Sequence, residues 1–285
     1  MKILPVAFDS FGVRSMATFV ETDDVRIFID PGVSVSPDRY SLPPHRLELD
    51  RRRDMVQAVQ HWVAVSDIVI ITHYHYDHHN PDDHMLYKNK DIYLKHPREF
   101  INYSQKERAE ILLGTLEQCA KTVTIADNRE FTFGKTRLAF SQPVFHGLSS
   151  KLGYVLEVLV DDKDRFVYTS DVQGPLTDEA MSFIIDNDPH TIFLDGPATY
   201  LLGSHYKKSD MHRACDNIKK IVQLPSLHTL IIDHHLMRDL RWMDFLASIT
   251  SPKNKVKICS AAGFCGKREE LLEAHRQELY QGVSV

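Results

Sequence analysis

The chain has 285 residues, 43% of them hydrophobic and 26% charged, the balance of a globular protein with ample length to bury a core. A formal net charge of −5 offers no general pull toward nucleic acid, so an extended nucleic-acid partner is not expected. No apolar run reaches the length of a membrane span, and Pro5 and Asp9 interrupt the N-terminus too soon for a signal peptide. A cytoplasmic protein without a membrane partner is the expectation.

In chain order, residues 16–20 and 25–29 read as paired strands around the turn-prone Thr22-Asp23-Asp24, and Asp30-Pro31-Gly32 stops the second one. Residues 34–50, with Pro37, Pro43 and Pro44, read as a long loop, and 51–65 as a helix whose Arg51-Arg52-Arg53 start is solvated. Ser66 to Ile71 is a β-branched apolar run typical of a buried strand. Further strands are expected at 92–94, 131–133, 137–140, 154–160, 166–169, 191–194, 229–232 and 256–259, and helices at 97–120, 177–186, 209–223, 239–249 and 268–280. Cys119, Cys215, Cys259 and Cys265 form no C-x-x-C pair and read as free thiols. No repeat or linker divides the chain, so one domain spanning 1–285 is expected.

The strongest chemical signal follows the strand that ends at Ile71. Thr72-His73-Tyr74-His75-Tyr76-Asp77-His78-His79 contains His-x-His-x-Asp-His. In an extended backbone, residues two apart share a face, so His73 and His75 can hold one ion. A turn after them would aim Asp77 and His78 at a second position. Imidazole mixed with carboxylate suits zinc, iron or manganese better than calcium or magnesium. Further ligands should lie at other strand ends. His146 follows Pro143-Val144-Phe145, Asp171 ends Phe166 to Ser170, and His234-His235 follow Leu230 to Asp233.

That order of motifs, led by Asp30 at the end of an early strand, resembles the metallo-β-lactamase superfamily over nearly the whole chain. Within it, Asp30-Pro31-Gly32, Leu42-Pro43-Pro44-His45, Thr169 to Pro175 and Asp233-His234-His235 look like an archaeal group of metallo-hydrolase-like proteins. The resemblance implies an α/β fold, an αββα sandwich of two mixed sheets flanked by helices, with the metal site at one edge. It assigns His73, His75 and His146 to a first ion, Asp77, His78 and His234 to a second, and Asp171 as the bridge. It leaves open whether His234 or His235 is the last ligand. In the tRNA-processing branch an Arg follows that ligand by four residues, the spacing of His234 and Arg238.

The implied chemistry is a dinuclear hydrolase, with two divalent ions (zinc expected, iron or manganese as alternatives) and a bridging hydroxide attacking an ester-like or phosphodiester bond. Asp77 and Asp171 would be part of the catalytic centre, and metal-bound water or His235 would protonate the leaving group. A small molecule or short nucleotide is the expected substrate, since the stretch from Asp171 to His234 is too short for the inserted domain of the RNA-degrading β-CASP branch. An iron-dependent thiol oxygenase and a non-catalytic metal-binding protein are the alternative readings. His79 reads as a supporting or solvent-facing residue, and Arg14, Ser15, His45 and Tyr200 as loop residues with structural roles.

Overall fold

A computed structural model describes residues 1–250, 255–283 and 285. Sheet one is built from β1 (Lys2–Phe8), β2 (Met16–Glu21) and β3 (Arg26–Ile29), then helix α1 (Arg46–Val65), β4 (Ile68–Ile71), β5 (Asp91–Leu94), helix α2 (Tyr103–Cys119) and β6 (Thr122–Ile125). Its strands lie in sequence order, antiparallel from β1 to β3 and parallel from β3 to β6.

The second half supplies β7 (Glu130–Phe133), β8 (Thr136–Phe140), β9 (Val144–Phe145), β10 (Tyr154–Val155), β11 (Val158–Asp161) and β12 (Arg165–Tyr168). These are followed by α3 (Asp178–Asn187), β13 (Thr191–Asp195), α4 (Lys208–Ile221), β14 (Thr229–Asp233), α5 (Trp242–Ile249), β15 (Lys257–Cys259), α6 (Ala261–Phe264) and α7 (Arg276–Tyr280). Seven of the strands form sheet two in the order β15-β14-β13-β12-β11-β8-β7, while β9 and β10 pair apart from it.

Strand alternation sorts the apolar side chains into layers. Phe8, Met16, Ile27, Ile29, Ile68 and Ile70 of sheet one meet Leu138, Phe140, Val158, Phe166, Phe193 and Ile231 of sheet two in the central core. Their neighbours point outward. Phe19, Phe28, Val69 and Ile71 pack on Val59, Val63, Leu112 and Leu116 of α1 and α2. Leu159, Val167, Ile192 and Ile232 pack on Ile184, Ile218, Ile221 and Phe245 of α3, α4 and α5. The result is the αββα sandwich. Among the described residues, no helix is long and apolar enough to cross a membrane.

Several boundaries differ from those read in the sequence. Helix α1 begins at Arg46, inside the expected loop, because His45 caps it: Leu47 N donates to His45 Nδ1 (3.3 Å) and His45 N to Glu48 Oε2 (2.8 Å). Helix α2 starts only at Tyr103, where Asn102 Oδ1 accepts from Gln105 N. The expected strand 154–160 is two short ones, β10 and β11, in different ladders. Of the expected helix 268–280 only α7 is helical. The segment before it folds back along the N-terminal half, with Glu270 N donating to Ser10 O and Arg14 paired to Glu273 at 2.6 Å. Fully buried Arg276 locks this return, donating to Glu48 (2.8 and 2.7 Å) and to the Leu42 and Ser36 carbonyls. Removing one partner of such a buried pair costs about 3–5 kcal/mol.

Glu157, between β10 and β11, is fully buried, and neither carboxyl oxygen has a partner among the described residues. Burial pushes its carboxyl well above the usual range. A carboxyl whose folded pKa is raised binds its proton more tightly when folded. Its contribution is therefore fully present below the unfolded value of about 4.3 and is lost as pH rises toward the folded one. Glu157→Gln should remove that dependence, so the variant gains on wild type in urea midpoint from pH 5 to pH 8. Parallel midpoint-against-pH curves would contradict it.

Candidate metal centre

The C-terminal ends of β3, β4, β12, β13 and β14 lie at one edge of the sandwich, because these strands run parallel within each sheet. The chain turns sharply after β3 at Asp30, whose φ of 52° is left-handed. Its buried carboxylate accepts from Thr72 N (2.8 Å), Thr72 Oγ1 (2.6 Å), Tyr168 OH (2.8 Å) and His78 Nδ1 (2.8 Å). Two residues later the backbone runs against the histidine loop so closely that a Cβ on Gly32 would stand 2.3 Å from His79 N and 2.4 Å from His78 N. Only glycine fits there.

The loop turns between His75 and His79, with His78 N and His79 N both donating to His75 O (2.9 and 3.2 Å). This turn parts the motif into two groups. His73 Nε2 and His75 Nδ1 lie 3.1 Å apart on one side. Asp77 and His78 face the other side, where β14 delivers His234.

Asp171 stands between the groups. Its Oδ2 is 3.6 Å from His73 Nε2, 3.1 Å from His146 Nε2 and 3.3 Å from His234 Nε2, while its Oδ1 is 2.9 Å from His78 Nε2. His78 Nε2 and Asp171 Oδ1, though close and buried, lack hydrogen-bonding geometry toward each other and have no other partner among the described residues. Buried polar atoms left so are costly, and a cation held between them would satisfy both. The donors are nitrogen and oxygen only, a set that suits zinc, iron or manganese. Ligand-capable atoms of His73, His75, His146 and Asp171 lie within 4.8 Å of one another, as do those of Asp77, His78 and His234. Only His75 and Asp77 of these are part-exposed, so the cluster opens to solvent on their side.

The two adjacent histidines differ in their surroundings. His234, held at a left-handed φ of 58°, pairs through Nδ1 with Asp9 Oδ2 (2.6 Å) and turns Nε2 toward Asp171 and Asp77 (3.8 Å). His235 pairs through both its backbone N (3.1 Å) and Nδ1 (2.9 Å) with Asp195, leaving Nε2 facing Gln173 Nε2 at 3.5 Å. His235 also has an atom within reach of Asp171 and His234. Arg238 donates to Asp9 Oδ1 (2.7 Å) and brings Nη2 to 3.5 Å from Asp77 Oδ2.

Charge follows this layout. Against the penalty of burial, Asp171 and then Asp30 push the His78 imidazole up to about 10. His234 likewise rises despite burial, through Asp171 and Asp9. Burial and the neighbouring His146 take His75 down to about 3. Asp171 falls well below the carboxylate range in spite of burial, because His78 and His234 face it. Burial, with Asp171 nearby, pushes Asp195 well above its ordinary value.

The other sequence candidates have local tasks. Fully buried His79 bonds His75 O through Nδ1 (3.0 Å), bracing its own loop. Ser15 Oγ donates to Gly32 O (2.6 Å), Arg14 pairs with Glu273, and His45 caps α1. Asp9, Gln105, Gln173 and Asp195 were not anticipated. Gln105 Nε2 lies 3.5 Å from His75 Nε2 and donates to Leu152 O. For Asp9 and Asp195 a signal existed, since each carboxylate ends an apolar strand, as Asp30 and Asp171 do.

Fold and site together define a metal-dependent-hydrolase-like protein. Residues 25–200 match the family model described as a β-lactamase superfamily domain. The chain belongs to that superfamily and, within it, to the UPF0282 proteins. It is 44% identical to the UPF0282 protein of Korarchaeum cryptofilum over 99% of this chain and 95% of that one. It is 42% identical to that of Methanocaldococcus jannaschii over 100% and 98%. Among solved structures, an isothiocyanate hydrolase from Delia radicum gut bacteria shares the fold at a TM-score of 0.54 and 13% identity, over 90% of this chain and 96% of that chain. A possible metal-dependent hydrolase from Veillonella parvula does so at 0.51 and 14%, over 85% and 95%.

Gly32→Ala should displace the histidine loop while both sheets stay folded. Bound metal measured by elemental analysis is expected to fall at least about tenfold, the scale of disturbed ligand support, with the far-ultraviolet circular dichroism unchanged. Full metal content in the variant would show that the loop tolerates the extra carbon.

Proposed function

We propose that the protein is a dinuclear metal hydrolase. The observation that carries this reading is the Asp171 carboxylate, set between His73, His75 and His146 on one side and Asp77, His78 and His234 on the other. In this reading those groups would hold two divalent ions, zinc in the first instance, with Asp171 as the residue they would share. Bound there, such a pair supplies an activated water at neutral pH and polarises the bond it attacks.

The chain's own residues do the rest. Asp30, Asp9 and Asp195 fix the orientation of His78, His234 and His235, each accepting at Nδ1 and leaving Nε2 turned inward. Burial, with Arg238 and His234 nearby, holds the His235 imidazole well below its usual value and therefore neutral. With Nδ1 bonded to Asp195, the inward-turned Nε2 would be the atom through which His235 passes a proton to the leaving oxygen. Asp77, at the open side, faces the incoming substrate. The substrate class is a small molecule or short nucleotide with an ester-like or phosphodiester bond, and the proposed location is the cytoplasm.

Elemental analysis of protein purified without added metal should find close to two zinc ions per chain, and Asp171→Ala should lower that number. Iron instead would redirect the search to oxygen-dependent chemistry, whereas one ion or none, unaffected by Asp171→Ala and not restored by added metal, would end the two-metal reading. His235→Ala should keep the metal and lower turnover of a phosphodiester or thioester by about 10²–10⁴-fold, the usual range for a proton-transfer group. Metal loss in that variant would instead make His235 a ligand.

A further inference from the structure

Arg39 sits in the loop before α1, and Tyr200 in the short turn after β13. The Arg39 guanidinium lies 4.6 Å from the ring centroids of both Tyr40 and Tyr200. Its Nη2 donates to Arg238 O (3.1 Å) and to Tyr40 OH (3.3 Å). That leaves Nε, which is buried, without a partner, and Nη1 and the Tyr200 hydroxyl are likewise unpaired among the described residues. Through Arg238, whose Nη2 approaches Asp77, the stack lies one arginine side chain away from the second ligand group.

Two more guanidinium groups stand behind it. Arg14 and Arg238 line a cavity of about 10 Å³ together with Asp9 and Glu273, room for a single water. Burial works against the Glu273 carboxylate, yet Arg14, Arg238 and Arg39 hold it below its ordinary range. Asp9 is shared between Arg238 and His234. Arg14 and Arg238 thus have Glu273, Asp9 and Asp77 as close carboxylate partners, whereas Arg39 has none within 4 Å among the described residues. Arg39 is the one with donors left over at the rim. Stacking between two rings fixes its plane, so little is lost in orienting it. A dianionic phosphate takes more donors, and more positive charge, than a carboxylate does.

Resting on the hydrolase reading, we propose that Arg39 and Tyr200 form a phosphate subsite that holds a phosphoryl group of the substrate remote from the scissile bond. A substrate with a terminal phosphate would then lie across the mouth, its scissile bond over Asp171 and its phosphate on Arg39. The subsite decides which esters are taken and performs no chemistry itself.

The test uses metal-loaded protein. Crystals soaked in tungstate, an electron-dense phosphate mimic, should show an oxyanion against Arg39 and Tyr200 in addition to any at the metal ligands. Arg39→Ala should abolish the first alone. In solution, calorimetric titration with inorganic phosphate should show a site weakened about tenfold in Arg39→Ala, the loss of roughly one charge-assisted contact, with acetate binding more weakly than phosphate in wild type. Tungstate only at the metal ligands, phosphate affinity unchanged in Arg39→Ala, or acetate bound as tightly as phosphate would overturn the subsite. Metal analysis of the same samples separates the outcomes. Wild type without metal refutes the hydrolase reading, whereas metal retained with no oxyanion at Arg39 refutes only the subsite.

Discussion

One buried carboxylate sets the position of the histidine loop. Asp30 ends β3 in a left-handed conformation that most residues avoid, and burying its charge is unfavourable unless donors surround it. It has them: a backbone amide and a hydroxyl from Thr72, the phenol of Tyr168 and the imidazole of His78. Those donors come from three places in the sequence, namely the end of β3's neighbour β4, the loop after it, and β12 in the other sheet. The two sheets are therefore registered against each other at the edge where the ligands emerge. Gly32 completes the constraint by letting the backbone lie directly on His78 and His79.

Repetition of this device explains why so many strands end in aspartate. Asp9 closes β1 and braces His234, Asp195 closes β13 and braces His235, and Asp233 closes β14 and accepts from Ser10 N, His234 N and Ala261 N. At a parallel strand's end the backbone amides of neighbouring turns are unpaired and point outward. A short carboxylate there satisfies them, and in Asp9 and Asp195 an oxygen also reaches a ring nitrogen. The same residue thus finishes the fold and aims the site.

Much of this was legible in the chain, because period-two apolar runs and their terminating Asp, Gly and His residues report buried strands directly. The His73–His78 motif, His146, Asp171 and His234 do come together. What escaped reading depended on contacts distant in sequence. The start of α1 at Arg46 rests on a histidine cap, an unusual residue for that role, closed by Glu48. The final segment carries a helical pattern, yet its Glu270, Glu273 and Arg276 are committed to Ser10, Arg14 and Glu48, and those tertiary bonds outweigh local propensity. Gln105 and Gln173 lie within 3.5 Å of His75 and His235 respectively, but no motif marks a lone glutamine on a helix or in a loop.

The two halves of the site are not equivalent, and the reason lies behind the ligands. His78 and His234 each have a carboxylate at Nδ1, and Asp77 adds a charge on their side. On the other side His73 Nδ1 meets only the hydroxyls of Thr72 and Ser170, both at 3.3 Å, and His75 meets the amide of Gln105. A carboxylate behind an imidazole raises its basicity, and hydroxyl and amide neighbours do so much less. The Asp77–His78–His234 side is therefore the more electron-rich. It is also the side on which Arg238 presses against Asp77 and draws off part of that charge. The first group has no such charge beyond Asp171, so the two groups would hold a cation with unequal strength.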